Sequence, residues 1–87
     1  MNLPVTFILK EIFEVNGKKH EVSVYHIKLD KQTHYFHCIV DDHYRININP
    51  TNNQNWQCID FGPNIFASAI GEIIERAKVP QMQFFLA

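Results

Sequence analysis

The sequence predicts an α+β domain in which an antiparallel sheet of about five strands is followed by one amphipathic helix. Asn16-Gly17 lies between two long runs rich in valine, isoleucine and phenylalanine, and a second pair of alternating runs comes after them. Apolar residues between positions 66 and 77 then recur with helical spacing. We therefore expect two consecutive hairpins, a short fifth strand and a helix packed on one face of the sheet.

The length of the chain limits it to one core. It has 87 residues, of which 46% are hydrophobic and 13% aromatic. Such a composition supports a globular core, whereas a second independent core needs a longer chain. We expect a single domain over residues 1–79. Residues 80–87 form an apolar tail that adds an edge strand, folds back on the sheet or contacts a partner chain.

The first hairpin is predicted at Asn16-Gly17, because a two-residue type I′ turn needs positive φ at both central positions. Pairing of Val15 with Lys18 then divides the two strands between two faces. The expected core face holds Val5, Phe7, Leu9, Phe13, His20, Val22, Val24 and His26. The other face holds Ile8, Lys10, Ile12, Glu14, Lys19, Glu21, Ser23, Tyr25 and Ile27. Both strands are long enough for a β-bulge to exchange these faces partway along.

The second hairpin is predicted from about Thr33 to Asn49, with a three-residue loop that pairs Val40 with Tyr44. This loop length collects the apolar residues on one face, whereas a two-residue loop mixes the two sides. The core face then holds Phe36, Cys38, Val40, Tyr44, Ile46 and Ile48. The opposite face holds Tyr35, His37, Ile39, Arg45, Asn47 and Asn49.

The last two elements are a short strand and the helix. Trp56 to Asp60 alternates as a strand with Trp56 and Cys58 on one side. Gly62-Pro63 indicates a helix start with proline at the first helical position. The apolar helical series comprises Phe66, Ala69, Ile70, Ile73, Ile74 and Ala77. The helix ends by Val79, because Pro80 disfavours helix at the residue before it.

We expect a cytoplasmic protein that has no broad electrostatic attraction for nucleic acids or membranes. Eight Lys and Arg against nine Asp and Glu leave a net charge of -1, so the broad attraction used by nucleic-acid and membrane binders is absent. We find no signal peptide pattern and no apolar run of about 20 residues, and so expect no membrane contact. Cys38 and Cys58 are expected to be reduced core thiols, and the sequence leaves open whether they lie close enough to bridge.

Five histidines and two cysteines raise the possibility of metal binding or thiol chemistry. Two ligands on one strand normally lie at positions i and i+2, a spacing that none of these residues has, and a site assembled across strands stays open. We therefore expect no metal, no cofactor and no catalytic residue. A small enzyme that uses Cys58 with a histidine is the third hypothesis, because Cys58 lies just before the helix start.

The sheet face without a helix is the candidate binding face. It combines aromatic rings, a cation and amides in Tyr25, Tyr35, His37, Arg45 and Asn47. The first hypothesis is a non-enzymatic interaction or oligomerisation module that forms a homodimer or binds another protein. Its second contact is the apolar tail, through Met82, Phe84, Phe85 and Leu86.

The alternative function is binding of single-stranded nucleic acid on the same face. Bases would stack on Tyr25 and Tyr35 while Lys10, Lys19 and Arg45 contact phosphates. The order of four strands and a helix is similar to the repeat unit of PUR-type single-stranded nucleic-acid-binding domains. That similarity is one of topology, and it implies no role for any residue of this chain.

Overall fold

The computed structural model describes residues 4–30, 32–51 and 55–85. They form one antiparallel sheet in which each strand pairs with its neighbour in the chain, in the order β1-β2-β3-β4-β5-β6. The strands are β1 (Val5–Val15), β2 (Lys18–Lys28), β3 (His34–Val40), β4 (Tyr44–Pro50), β5 (Trp56–Cys58) and β6 (Gly62–Pro63). Helix α1 (Ile65–Ala77) and a 3-10 helix at Pro80–Phe85 follow. The predicted α+β class is confirmed. No helix in the described part of the chain is long and apolar enough to cross a bilayer.

The first hairpin has the predicted turn and the anticipated bulge. Val15 pairs with Lys18, and Asn16 and Gly17 have φ values of 53° and 81°. The register shifts between Phe7 and Leu9, so that Phe7 pairs with Tyr25 while Leu9 pairs with Val24. The extra residue exchanges the two faces of β1.

The bulge overturns the face predicted for the first residues of β1. Val5 and Phe7 are 45% and 55% exposed on the side away from α1, so their assignment to the core face was wrong. Ile8, predicted on the other face, packs against the core instead. Other predicted core positions, Phe13 on β1 and Val22, Val24 and His26 on β2, are buried.

The second hairpin has the predicted three-residue loop, with Val40 paired to Tyr44. Asp41 and Asp42 adopt φ values of 55° and 67°, which aspartate tolerates better than most residues. The predicted core residues Phe36, Cys38, Val40, Ile46 and Ile48 are all buried. Tyr44 is 40% exposed, because it lies at the end of the sheet next to the loop.

Helix α1 begins at a different residue from the predicted one. The side chain of Asn64 accepts hydrogen bonds from the backbone N–H groups of Phe66 (2.8 Å) and Ala67 (3.3 Å), so Asn64 is the N-cap. The prediction that Pro63 opens the helix was wrong, because Gly62 and Pro63 pair with β5 as a sixth strand. The helix ends as expected before Val79, with Lys78 as a left-handed C-cap.

The core lies between α1 and one face of the sheet. From the helix it takes Ala67, Ile70, Ile73 and Ile74. These residues pack on fully buried sheet side chains, among them Phe36, Cys38 and Ile48. Trp56 closes the side of the core near β5, and its indole Nε1 donates to Glu75 Oε1 at 2.8 Å. Helix α1 therefore covers one face of the sheet, and no helix of the described residues covers the opposite face.

The described part of the tail folds back on the domain. Met82 is half-buried, packs against the core, and donates its backbone N–H to Val79 O at 3.1 Å. The edge-strand alternative was wrong for residues 80–85, because they form a 3-10 helix. Leu86 lies outside the described residues, and the side chains of Phe84 and Phe85 lie outside the described atoms. The boundary at residue 79 stays a prediction.

Candidate functional site: the open face of the sheet

We call the sheet face opposite α1 the open face. Strand alternation and the observed registers place all of the predicted binding residues on it. No helix of the described ranges packs on this face. It includes Val5, Phe7, Tyr25, Ile27, Tyr35, His37, Ile39, Arg45 and Asn47 and, towards the Asn16-Gly17 turn, Lys10, Ile12, Glu14, Lys19, Glu21 and Ser23. The structure thus brings the predicted residues together on one surface, whereas their binding role stays a prediction.

The centre of the open face is a row of four paired side chains. Phe7 pairs with Tyr25, Tyr25 with His37, and His37 with Asn47. The rings of Phe7 and Tyr25 meet edge to face, with centroids 5.5 Å apart. His37 Nδ1 donates to Asn47 Oδ1 at 2.6 Å, which leaves the other ring nitrogen, Nε2, for a hydrogen bond to a ligand. The row therefore runs from an apolar end to a polar end.

Two further rows flank this one and extend the same division. On one side, Tyr35 pairs with Ile27, which pairs with Val5, so this corner is apolar. On the other side, Ile39 pairs with the exposed Arg45. An apolar corner thus adjoins a cation and the hydrogen-bonding groups of the central row. Phe7 was missed as a member of the site, because the position of the bulge decides its face.

The charges of the open face alternate in sign rather than forming a basic field. Lys10 Nζ lies 3.3 Å from Glu21 Oε1, and both side chains are about half exposed, at 54% and 43%. An exposed ion pair of this kind adds little stability, but it reduces the positive charge that Lys10 presents. The described residues of the open face therefore form no continuous track of positive charge.

A histidine and an aspartate form a second polar cluster, which the sequence did not reveal. Asp41 Oδ2 accepts from His20 Nδ1 at 2.7 Å, and Asp41 Oδ1 accepts from the backbone N–H of Glu21 at 3.0 Å. These hydrogen bonds, first that from His20 and then that from Glu21, hold the pKa of Asp41 below its usual value. The carboxylate of Asp41 therefore links the β3–β4 turn to β2. Only the folded sheet brings His20 and Asp41 together, so no local sequence signal exists.

The two cysteines are buried and do not bridge. Cys38 on β3 and Cys58 on β5 are separated by β4, a distance of about 10 Å between strand axes, whereas a disulfide needs α-carbons within about 7 Å. Burial raises the pKa of both thiols, and the neighbouring Asp60 raises that of Cys58 further. A nucleophilic cysteine requires a lowered pKa, so the burial of both thiols favours core cysteines over the hypothesis of a small enzyme that uses Cys58.

Within the described residues no group of three or more His, Cys, Asp or Glu side chains is arranged to hold a metal ion.

His26 is a buried polar residue on the helix-covered side of the sheet, with 3% of its surface exposed. Its ring lies 5.6 Å from that of His34 and 5.4 Å from that of Phe36, measured between centroids. Desolvation by burial lowers the pKa of His26, and the positive charges of His34 and Lys28 lower it further. The folded protein therefore holds His26 neutral more strongly than the unfolded chain does.

We expect this histidine to make the fold sensitive to mild acid. The pKa of His26 is about 6.5 in the unfolded chain and lower in the folded protein. His26 therefore leaves the free energy of unfolding unchanged above about pH 6.5 and lowers it as the pH falls from there towards the pKa of the folded protein. One proton contributes a slope of at most about 1.4 kcal/mol per pH unit. Urea unfolding between pH 7.5 and pH 5 should show this loss, and His26→Leu should reduce the slope. Val24→Ala, a buried control on the same strand, should lower stability but keep the slope. An unchanged slope in His26→Leu would contradict the assignment.

Comparison with known proteins identifies no relative: no protein-family model, no curated protein and no solved structure matches this chain.

Proposed function

We propose that this chain is a non-enzymatic interaction and oligomerisation module that contacts another protein chain through the open face. The observation that carries the proposal is the apolar corner of that face. Val5 and Phe7 are 45% and 55% exposed and lie beside Tyr25, Ile27 and Tyr35, while α1 packs on the opposite side of the sheet. Single exposed apolar residues are ordinary, but a contiguous patch rimmed by polar groups is typical of a contact surface.

The composition of the open face supports a protein partner. Protein interfaces are enriched in aromatic residues and arginine, and tyrosine and arginine are frequent among the residues that contribute most to affinity. Tyr25, Tyr35 and Arg45 are such residues. They project from paired strands. Because this backbone is already ordered, binding a partner costs little further conformational entropy in this chain.

We assign the contact to the open face rather than to Met82, because that tail residue packs on the core of its own chain. A cytoplasmic location is part of the proposal. Its support is the pair of buried free thiols, which are common in proteins of reducing compartments.

The test is capture of binding proteins by immobilised variants. Phe7→Ser combined with Tyr35→Ser should reduce the amount of each specifically retained protein at least about 10-fold, since these rings are expected to be energetically central. Phe61→Ser is the matched control, because Phe61 is 75% exposed in the turn between β5 and β6. Equal retention by the open-face variant and the wild type would contradict the proposal.

Nucleic-acid binding is the alternative that uses the same residues. It is less well supported, because the net charge is -1 and Lys10 is engaged with Glu21. Fluorescence anisotropy with a labelled single-stranded oligonucleotide at low salt should be flat. A salt-dependent rise that Arg45→Ala and Tyr35→Ala weaken would replace the protein partner with a nucleic acid.

A further inference from the structure

Strand β1 has a free edge. It pairs with β2 on one side and is the first strand in the sheet order, so within the described residues its other side has no strand partner. Natural proteins usually protect such edges with bulges, prolines or very short strands. Pro4 and the bulge at Ile8 protect only the beginning of β1. Residues 9–15 form a regular ladder with β2 and leave a straight edge available for pairing.

The hydrogen bonds of Glu21 reveal which residues of β1 point to this edge. The backbone N–H of Glu21 donates to Asp41 Oδ1 at 3.0 Å, and its C=O accepts from the backbone N–H of Asp41 at 2.8 Å. Both groups therefore point towards β3, so Ile12, which pairs with Glu21, forms no backbone hydrogen bonds to it. The N–H and C=O of Ile12 point outward, and by strand alternation so do those of Lys10 and Glu14.

We propose that two copies of this chain associate by antiparallel pairing of their β1 strands, centred on Ile12. The inference rests on the proposed function and specifies its oligomerisation. Ile12 of one copy lies opposite Ile12 of the second copy, and each donates its N–H to the other's C=O. Ile12 is 67% exposed in the single chain, and the pairing removes much of this apolar surface from water. Lys10 of each copy then lies opposite Glu14 of the other.

Charge selects this register among those that match outward-pointing groups. A pairing centred on Lys10 opposes two lysines, one centred on Glu14 opposes two glutamates, and one centred on Glu11 also opposes two glutamates. Like charges directly opposite each other are destabilising in a sheet. A pairing centred on Phe13 leaves Lys10 without an opposite charge. Only the pairing centred on Ile12 matches Lys10 with Glu14 twice, so the edge is complementary to itself.

The pairing has a consequence for the open face. A two-fold axis perpendicular to the sheet keeps each residue on its own side, so both α1 helices lie on one side of the joined sheet. The two open faces then form one continuous surface on the other side. A groove of about 500 Å³ between β1 and α1, lined in part by Leu9, Ile73 and Arg76, leaves room for side chains that the second strand directs to the helix side. The dimer therefore presents two adjacent copies of the proposed contact site.

Complementary charge reversal tests the register by sedimentation velocity. Lys10→Glu alone places two glutamates opposite each other in each facing pair, and Glu14→Lys alone places two lysines opposite each other. Each variant should raise the dimer dissociation constant at least about 10-fold. An equimolar mixture of the two variants should form a heterodimer, because positions 10 and 14 are both acidic in one chain and both basic in the other. The double variant, in which the two charges are exchanged, should dimerise with itself. Lys18→Glu, at an exposed residue of β2 that pairs with Val15, makes the same change in net charge as Lys10→Glu and should leave the dissociation constant unchanged.

Two results would overturn the inference. The first is a wild-type chain that stays monomeric at concentrations up to about 1 mM, the range of weak association. The second is a wild-type dimer whose charge-reversed double variant fails to associate with itself, although its circular dichroism shows a native sheet. Capture by the open face is measured with Phe7→Ser and Tyr35→Ser, of which Tyr35 lies away from β1. A chain that is captured through the open face but stays monomeric would contradict only this inference. A chain that dimerises as expected but whose capture these substitutions leave unchanged would contradict only the proposed function.

Discussion

Phe36→Ala should lower the free energy of unfolding by about 3–5 kcal/mol, the usual cost of removing a fully buried aromatic ring. Phe36 has 0% of its surface exposed and lies beneath α1 in the middle of the sheet. Its ring centroid is 5.4 Å from that of His26 and 5.8 Å from that of Trp56, so the cavity is enclosed by large side chains that cannot all move in to fill it. A domain of this size has a stability of roughly 4–13 kcal/mol, so the variant should be marginal.

Tyr35→Ala is the matched control for Phe36→Ala, because it truncates the neighbouring residue on the opposite face. Tyr35 is half-buried on the open face, and its loss should cost only about 1 kcal/mol. Urea unfolding of both variants at pH 7.5 measures the contrast. Similar losses for the two would mean that both faces of the sheet are buried in solution, which contradicts an open contact surface in the single chain.

Gly71→Ala should destabilise the protein, although alanine is the better helix former by about 1 kcal/mol. Gly71 is a buried residue of α1, and a methyl group there would overlap the indole ring of Trp56. Trp56 cannot easily move aside, since its Nε1 donates to Glu75 Oε1 at 2.8 Å and its ring packs near Phe36. The strain of overpacking is typically about 1–3 kcal/mol and can be more for direct overlap. We therefore expect a net loss of about 1–2 kcal/mol in the free energy of unfolding.

Ser68→Ala separates helix propensity from packing in the same element. Ser68 is exposed on α1, so alanine there should be neutral or should raise stability by about 0.5 kcal/mol. Thermal unfolding followed by Trp56 fluorescence reports both variants. A stabilising Gly71→Ala would show that α1 lies further from β5 than the structure has it.

The turns and faces of the hairpins were predictable where local chemistry determined them. Asn16-Gly17 specifies its own turn, and the alternation around Val40 and Tyr44 admits only one loop length that keeps the apolar residues together. The bulge was foreseen but could not be located. Phe7, Ile8 and Leu9 are three consecutive apolar residues, so the pattern gives no signal of where the faces exchange.

The start of the helix was missed for a different reason. Pro63 and Asn64 are both favourable near a helix N-terminus, and the choice between them depends on the pairing of Gly62-Pro63 with β5, which is a tertiary contact. The candidate site was largely predictable, because Tyr25, His37 and Asn47 follow from strand alternation once the registers are known. The cluster of His20 and Asp41 was not, since only the β2–β3 pairing brings these residues together.

The claim that the open face is the contact surface is tested most directly by side-chain oxidation mapped by mass spectrometry. The isolated chain and the chain in complex with the proteins it retains are exposed to hydroxyl radicals, and the oxidation rates of individual aromatic residues are compared. We expect Phe7, Tyr25 and Tyr35 to be protected in the complex, while Phe61 and Tyr44, exposed away from the open face, keep their rates. Protection of Phe61 or Tyr44 with unchanged rates at Phe7, Tyr25 and Tyr35 would contradict the account and place the contact elsewhere on the domain.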